Sequence, residues 1–405
     1  MWQEEPNQNH QIHEKHRDMI IGLDAFNISS GGGITHLKKI LEFSDPSSQN
    51  FTKIILWGST ETLNKIPDQD WIEKKTDSLL NKSGFHRIFW HIFKSKNLAN
   101  YHSCDVIFTP GGINLSGFNP SITMSRNMLP FEWLELKRYS TSKTFLRLFF
   151  LKYLQLLSFK RASGLIFLTK YAESIIKKNT NLINDAKKNI VNIPHGVSSH
   201  FFKSPKLIDK NKFIDGASCN ILYVSGIELH KHQWNVVEAV ANAIARGYLI
   251  NLYLVGPQGH GSNLLNSAIK KYDPKLEFVI YKGEVNHINL NAIYEDCDIS
   301  LFASSCENMP NILLESMASG LPILSSNMGP MPEILEGNGI YFNPLSINEI
   351  ENAIIKSIES PDLMFELSKQ SFLKAKSYSW KNCADETFKF INTIANKFSK
   401  DRMSL

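Results

Sequence analysis

Short apolar runs alternate with amphipathic stretches along most of the chain, and this rhythm narrows the available folds more than any other feature. A parallel strand is buried on both faces and its crossover is a helix, so such alternation specifies parallel α/β layers. In the first half the strand candidates are Met19–Leu23, Lys53–Trp57, Val106–Thr109, Ser121–Ser125, Leu165–Leu168 and Ile190–Ile193. Helical periodicity falls between them at Ile34–Phe43, Thr144–Phe159 and Lys170–Lys178. From Ser198 to Ser218 the pattern breaks into a Lys- and Asp-rich segment without period, then restarts more clearly. Strands are expected at Ile221–Val224, Asn251–Val255, Phe278–Tyr281, Ile299–Ala303, Pro322–Ser325 and Ile340–Phe342. Helices are expected at His232–Arg246, Asn263–Tyr272, Ile288–Cys297, Asn311–Ser319 and Ile347–Ser360. A chain of 405 residues is also too long for one ordinary core. The expectation is therefore two doubly wound, Rossmann-like α/β domains, 19–200 and 218–378, joined by a linker at 201–217 and facing a cleft. A polar, flexible tail at 1–18 precedes them, and an amphipathic helix within 379–405 follows, packing back toward the first domain.

Charge and cysteine usage remove several classes. The net charge of +5 comes from scattered lysines and is too diffuse for a nucleic-acid binder, though it favours anionic ligands or an anionic lipid surface. The five cysteines lie far apart with no C-x-x-C pair, which fits a reducing cytosol rather than a disulfide framework or a zinc knuckle. The tail lacks the apolar core of a signal peptide; its His10, His13 and His16 fit a floppy segment better than a metal trap. No run reaches the ~18–20 apolar residues of a membrane span.

Three segments place reactive groups at strand ends, where ligands of such sheets bind. After the first strand, Gly31, Gly32 and Gly33 run into a helix expected near Ile34, and their backbone N–H groups suit an anion. A flexible turn explains three glycines equally well. After Val224, the segment Ser225–Gln233 carries Lys231 into a helix start, as a point charge for a diphosphate or as a solvent lysine. The third segment decides more: Glu307-Asn308-Met309-Pro310-Asn311-Ile312-Leu313-Leu314-Glu315 follows a buried strand and opens a helix. Pro310 suits the first turn and Asn308 a cap. Eight positions along a helix separate the two carboxylates by roughly 12 Å, the span of a sugar at one end and a ribose at the other. Free N–H groups between them suit a diphosphate. The apolar residues around Glu315 argue against a solvated face.

The stretch Phe302–Ile334, with Asp24–Leu37, Asn127–Glu135, Phe167–Ala172, Ile193–Val197 and His230–Val240, resembles glycosyltransferase family 4, and within it bacterial enzymes of O-antigen, capsule and lipopolysaccharide synthesis. The resemblance runs from Asp24 to about Phe390. It implies a GT-B fold and a retaining transfer from a UDP- or GDP-sugar to a glycan or lipid-linked acceptor. It implies no cofactor and no metal. Residue by residue, Glu307 matches the acid on the donor sugar's hydroxyls, Glu315 the acid on the ribose, and Lys231 the lysine on the departing diphosphate. Asn308, Met309, Pro310 and Asn311 fall in the donor segment, and the Gly31–Gly33 loop resembles the one closing over the phosphates. Two positions depart from the pattern. Gly226 stands where an arginine is usual. Arg126 and Asn127 stand where a histidine near the donor sugar is usual; either could orient the sugar, with Asn127 taken first.

Other features compete with these. Asp296-Cys297-Asp298 has metal-binding D-x-D spacing but sits where an aspartate commonly ends a helix. His195 and His200 have the spacing of half a zinc site, yet no cysteine pair completes it, and His195 fits a cleft or turn residue better. Residues 143–161 mix Phe and Leu with Arg147, Lys152, Lys160 and Arg161. If helical, Arg147, Lys152, Gln155 and Ser158 share one arc. Such a helix suits the inner face of the cytoplasmic membrane, and equally a buried place in the first domain. Two rivals remain beside the transferase: a non-catalytic sugar-nucleotide-binding partner subunit of a polysaccharide assembly complex, and an epimerase of the same fold.

Overall fold

The computed structural model describes residues 19–29, 31–140, 142–179, 189–206 and 216–403. The histidine-bearing tail 1–18 and residues 207–215 of the expected linker lie outside the described residues. In chain order the first half contains β1 (Ile20–Asp24), α1 (Gly31–Glu42), β2 (Lys53–Trp57), α2 (Thr60–Leu63), β3 (Ile72–Lys75), α3 (Gly84–Phe93), α4 (Ser95–Tyr101), β4 (Val106–Thr109), β5 (Ser121–Met124), α5 (Trp133–Lys137), α6 (Lys143–Arg161), β6 (Gly164–Phe167), α7 (Lys170–Asn179) and β7 (Asn189–Asn192). The second half contains β8 (Cys219–Val224), α8 (Gln233–Ala245), β9 (Ile250–Val255), α9 (Ser262–Tyr272), β10 (Val279–Gly283), α10 (Leu290–Glu295), β11 (Ile299–Phe302), α11 (Asn311–Ala318), β12 (Ile323–Ser326), α12 (Met331–Leu335), β13 (Ile340–Phe342), α13 (Ile347–Glu359), α14 (Pro361–Ala375) and α15 (Trp380–Met403).

The strands form two parallel sheets ordered β3-β2-β1-β4-β5-β6-β7 and β10-β9-β8-β11-β12-β13. In each sheet the order reverses once, between β1 and β4 and between β8 and β11, which are the switch points where doubly wound sheets bind ligands. Central strands such as Val106–Thr109 and Ile299–Phe302 are buried at every position, as strands covered by helices on both faces must be. The edge strand β3 has the sequence Ile72-Glu73-Lys74-Lys75 and carries no apolar alternation, which is why the rhythm does not reveal it. Charge on an edge also discourages pairing with another chain.

Helix α15 leaves the second domain and lies against the first. Gln49 Nε2 donates to Asp385 Oδ1 at 2.7 Å, and the rings of Phe51 and Phe388 stack at 5.0 Å. The approach is closest at Gly196, where a Cβ would sit 2.1 Å from the backbone nitrogen of Trp380. Only glycine fits there.

Helix α6 corrects one expectation. The arc of Arg147, Lys152, Gln155 and Ser158 is not its outward face, because Gln155 and Ser158 are buried. Ser158 Oγ accepts the backbone N–H of Asn114 at 2.9 Å, and Gln155 fills the space a side chain on Gly112 would need. The loop after β4 thus draws these polar groups inward. The outward arc instead presents Leu146, Phe150, Tyr153 and Leu157, flanked by Lys143, Arg147 and Arg161. Beside it, α3 exposes Phe85, Phe89, Ile92 and Phe93; the two helices share an apolar cluster through Trp90, Leu151 and Leu154. Neither helix contains a carboxylate. No described helix is long and apolar enough to cross a membrane.

Candidate active site

The carboxyl ends of both sheets open on one cavity of about 530 Å³, ample for a nucleotide-sized ligand. Its wall brings together Gly31, Gly32 and Gly33 with Lys231, Glu307, Asn308, Met309, Pro310, Asn311 and Glu315, residues of the three segments singled out above. Arg126, His195 and His287 complete its polar lining.

The loop after β11 carries most of the chemistry. Ser305 N donates to the His230 carbonyl at 2.8 Å, and Ser305 Oγ meets His232 Nε2 at 2.8 Å, so the β8 and β11 loops are tied together. His232 itself caps α8 in the left-handed region, φ +52°. These ties set Lys231 beside Glu307: the ammonium donates to Glu307 Oε1 and lies 5.0 Å from the centre of the Phe302 ring. The two side chains are each only 14% exposed, so the pair is largely desolvated.

Helix α11 begins at Asn311, with Pro310 as its N-cap. Glu307 therefore lies in the loop and not on the helix, and the roughly 12 Å helical span expected between the two acids does not apply. Asn308 is not a cap either. Its Nδ2 donates to the Ser125 carbonyl at 3.0 Å and its own carbonyl accepts Thr169 Oγ1 at 3.2 Å, so it bridges the domains. A second bridge lies nearby: the Glu333 carboxylate accepts the backbone N–H groups of Lys170 and Tyr171, both at 2.8 Å, at the start of α7. An acid suits that helix end.

Glu315 is 6% exposed, and burial raises its pKa. Its Oε1 pairs with His287 Nε2 at 2.8 Å, and this bond raises the imidazole's pKa in turn. Its Oε2 is buried without a partner. A desolvated oxygen of this kind costs stability unless a ligand hydroxyl or N–H meets it.

The glycines form the first turn of α1 itself, which begins at Gly31 with φ +60° and not near Ile34. Their N–H groups are thus the free donors of a helix start. Arg126, just past β5, faces them, with Nη1 3.4 Å from the Gly33 carbonyl. Asn127, expected to orient a ligand, does not line the cavity; its Oδ1 accepts the Leu129 N–H at 3.1 Å. Arg126 holds the place instead. Behind it His36, His195 and Trp380 stack, His195 lying 5.0 Å from His36 and 5.4 Å from Trp380. Asn311 Oδ1 accepts from His195 Nδ1 at 2.8 Å, and Met309 Sδ accepts the His195 N–H. Burial, and then the Arg126 charge, lower the His195 pKa to about 3; burial and the same neighbours keep His36 well below its ordinary value. Both rings are neutral at physiological pH. Asp296 and Asp298 lie before β11, at its amino end, and Asp298 Oδ2 accepts the Asn220 N–H at 3.0 Å. That places the D-x-D stretch at the other end of the strand from the cavity.

Two residues of the site, one on the cavity wall and one packed behind it, had no signal of their own in the sequence. His287 follows β10 without a pattern around it; only its position past a strand's carboxyl end pointed to the cleft. His36 sits in an ordinary amphipathic helix, where its periodicity reads as core.

Residues 206–373 match the family model "Glycosyl transferases group 1". That match covers most of the second half of the chain. The chain is 24% identical over 136 residues to O-antigen chain mannosyltransferase B of Escherichia coli, covering 34% of this chain and 35% of that protein. It spans only about a third of the length of the first curated relatives it matches, 35% and 29%. Among solved structures it is similar to sucrose-phosphate synthase from Thermosynechococcus elongatus, with a TM-score of 0.71 and 16% identity over 93% of this chain and 99% of that one. It is also similar to Anabaena HepE in complex with UDP and glucose, with a TM-score of 0.63 and 18% identity over 96% of this chain and all of that one. At these identities the structures establish the fold, which is GT-B: two Rossmann-like domains facing a cleft.

Proposed function

We propose that the protein is a retaining glycosyltransferase that moves a sugar from a UDP- or GDP-linked donor to a glycan or lipid-linked acceptor in surface polysaccharide synthesis, without a metal ion. The observation that carries this reading is the buried, half-satisfied Glu315 at one end of the cavity and the Glu307–Lys231 pair elsewhere on its wall. Glu315 Oε2 takes a ribose hydroxyl and Glu307 the hydroxyls of the donor sugar. Lys231 and the N–H groups at the starts of α1 and α11 face the diphosphate. In the transfer the bond from the anomeric carbon to the diphosphate oxygen breaks as the acceptor oxygen bonds to the same face. The acceptor's proton passes to a diphosphate oxygen, so no separate base is required. The barrier falls chiefly because fixed positive charge meets the charge developing on the leaving group.

Calorimetry without metal tests the donor site. Because a curated relative is named a mannosyltransferase, mannosyl donors are screened first, then other UDP- and GDP-sugars. Glu315→Ala is expected to weaken donor binding by roughly 1.5–3 kcal/mol, the scale of a charge-assisted hydrogen bond. Folded wild-type protein that binds no sugar nucleotide would sink the reading. Acceptor-dependent release of free UDP or GDP separates a transferase from an epimerase.

A lipid-linked acceptor is met at a membrane surface, and the outward faces of α3 and α6 suit one: aromatic side chains to enter the headgroup layer and cations to meet anionic lipid. Vesicles containing anionic lipid should co-sediment with the protein, and the double variant Phe89→Ser, Phe150→Ser should lose about tenfold or more of that binding. Equal binding to purely zwitterionic vesicles would remove anionic lipid from the account, no change in the variant would remove these two faces, and no co-sedimentation at all would remove the membrane.

A further inference from the structure

The cavity's charges do not balance in the way its pairs suggest. Its acidic and basic lining residues are Arg126, Lys231, Glu307 and Glu315, with the imidazoles of His195 and His287. Lys231 is matched by Glu307, and Glu315 by His287. Among the described residues, no carboxylate pairs with Arg126. Its one hydrogen bond among the described residues is the long contact to the Gly33 carbonyl, 3.4 Å. Burial with no acid beside it lowers its pKa to about 10, still far above physiological pH, so it remains a cation. The histidines behind it are neutral, and His195 Nε2, 3% exposed as a residue, is buried without a partner on the same wall. A desolvated, unmatched guanidinium opposes folding, and it persists at little cost only where an anion completes it.

We propose that Arg126 is the cation that holds the donor's diphosphate from the N-terminal domain, together with the N–H groups of Gly31, Gly32 and Gly33. The inference rests on the donor reading above and adds a residue to it. The position supports a phosphate ligand in two ways. A Cβ on Gly32 or Gly33 would lie 3.7–3.9 Å from the Arg126 guanidinium, so the guanidinium and the free N–H groups of the α1 start converge on one region. A guanidinium offers a planar fork that two phosphate oxygens meet at once. Lys231 cannot supply the full balance, because Glu307 already neutralises it.

A consequence for the reaction follows. Lys231 stands on the C-terminal domain and Arg126 on the N-terminal one. The leaving diphosphate meets both cations only when the domains sit as they do here, held by Asn308 on Ser125 and Glu333 on α7. Bond breaking is then electrostatically favoured in the closed arrangement and disfavoured in an open one, where water would compete for the phosphates.

The test is calorimetry of wild type, Arg126→Gln and Arg126→Lys with UDP, GDP, UDP-glucose and UDP-glucuronic acid, beside the melting temperature of each ligand-free protein. Arg126→Gln is expected to weaken the preferred free diphosphate by about tenfold or more. Arg126→Lys should fall between, and the ligand-free glutamine protein should melt no lower than wild type, because a costly charge has been removed. A glutamine variant that binds the diphosphate within twofold of wild type overturns the proposal. So does a loss confined to UDP-glucuronic acid, which would move Arg126 onto a carboxylated sugar. If Arg126→Gln does not fold, Arg126→Lys decides: wild-type affinity there overturns the fork contact. Wild-type protein that binds neither UDP nor GDP overturns the donor reading itself, a different result from a variant-specific loss.

Discussion

Alanine in place of Lys231 is expected to lower kcat by roughly 10²–10³-fold, the loss seen when one fixed stabiliser of developing charge is removed from a dry site. Its effect will not be confined to turnover, because Lys231 is also the partner of Glu307, and both are largely desolvated. Removing the lysine strands the carboxylate at a cost of roughly 1–3 kcal/mol in stability. The double variant Lys231→Ala, Glu307→Gln separates the two effects: its melting temperature should recover toward wild type while its turnover stays low. Recovery of activity along with stability would mean that turnover needs neither the lysine's charge nor the carboxylate's. Full activity in the single variant would remove the lysine from the leaving-group site.

The second large effect is acid lability. His195 and His232 are held at about 3, both chiefly by burial, His195 next by Arg126 and His232 next by Arg138. His36 and His230 shift in the same direction, burial again leading. An imidazole whose folded pKa is depressed contributes its stability above the unfolded value near 6.5, and loses it as pH falls from there toward the folded value. At pH 5 the unfolded chain binds protons at these positions that the folded chain refuses. Each of His195 and His232 then costs about 2 kcal/mol relative to pH 8. Glu315, raised by burial, works weakly the other way. With His36 and His230 adding to the loss, the melting temperature should drop by roughly 5 °C or more between pH 7.5 and pH 5. His195→Gln should flatten part of that slope. A melting temperature that stays level across the interval would show that these rings take up protons without penalty.

The α/β rhythm, the restart after Ser198 and the strands of both sheet centres were legible in the sequence, because burial on two faces writes a continuous apolar run. β3 was not, since an edge strand is under no such demand. α3 escaped for a different reason: Phe85, Phe89 and Phe93 are exposed while His91, on its more polar side, is buried, so its pattern does not read as a core helix. At the site, Lys231, Glu307, Glu315 and the glycine turn announced themselves by position after strands. Arg126 over Asn127 did not, because adjacent residues leaving a strand point to opposite sides and the sequence does not say which side faces the cleft. His287 required knowing that the loop after β10 reaches α11, although two strands separate β10 from β11 in the sheet.

Helix α15 ties synthesis to folding. The surface of the first domain around α1, including Phe51, is covered by residues near Phe388, several hundred positions later in the chain. On the ribosome the first domain therefore emerges with an apolar flank whose cover has not yet been translated. It must wait, through the making of the whole second domain, with that flank open to chaperones or to neighbouring chains. The stacking of Trp380 on His195 extends the same dependence to the cavity wall, so a nascent chain stopped short of this helix lacks the backing of its own site.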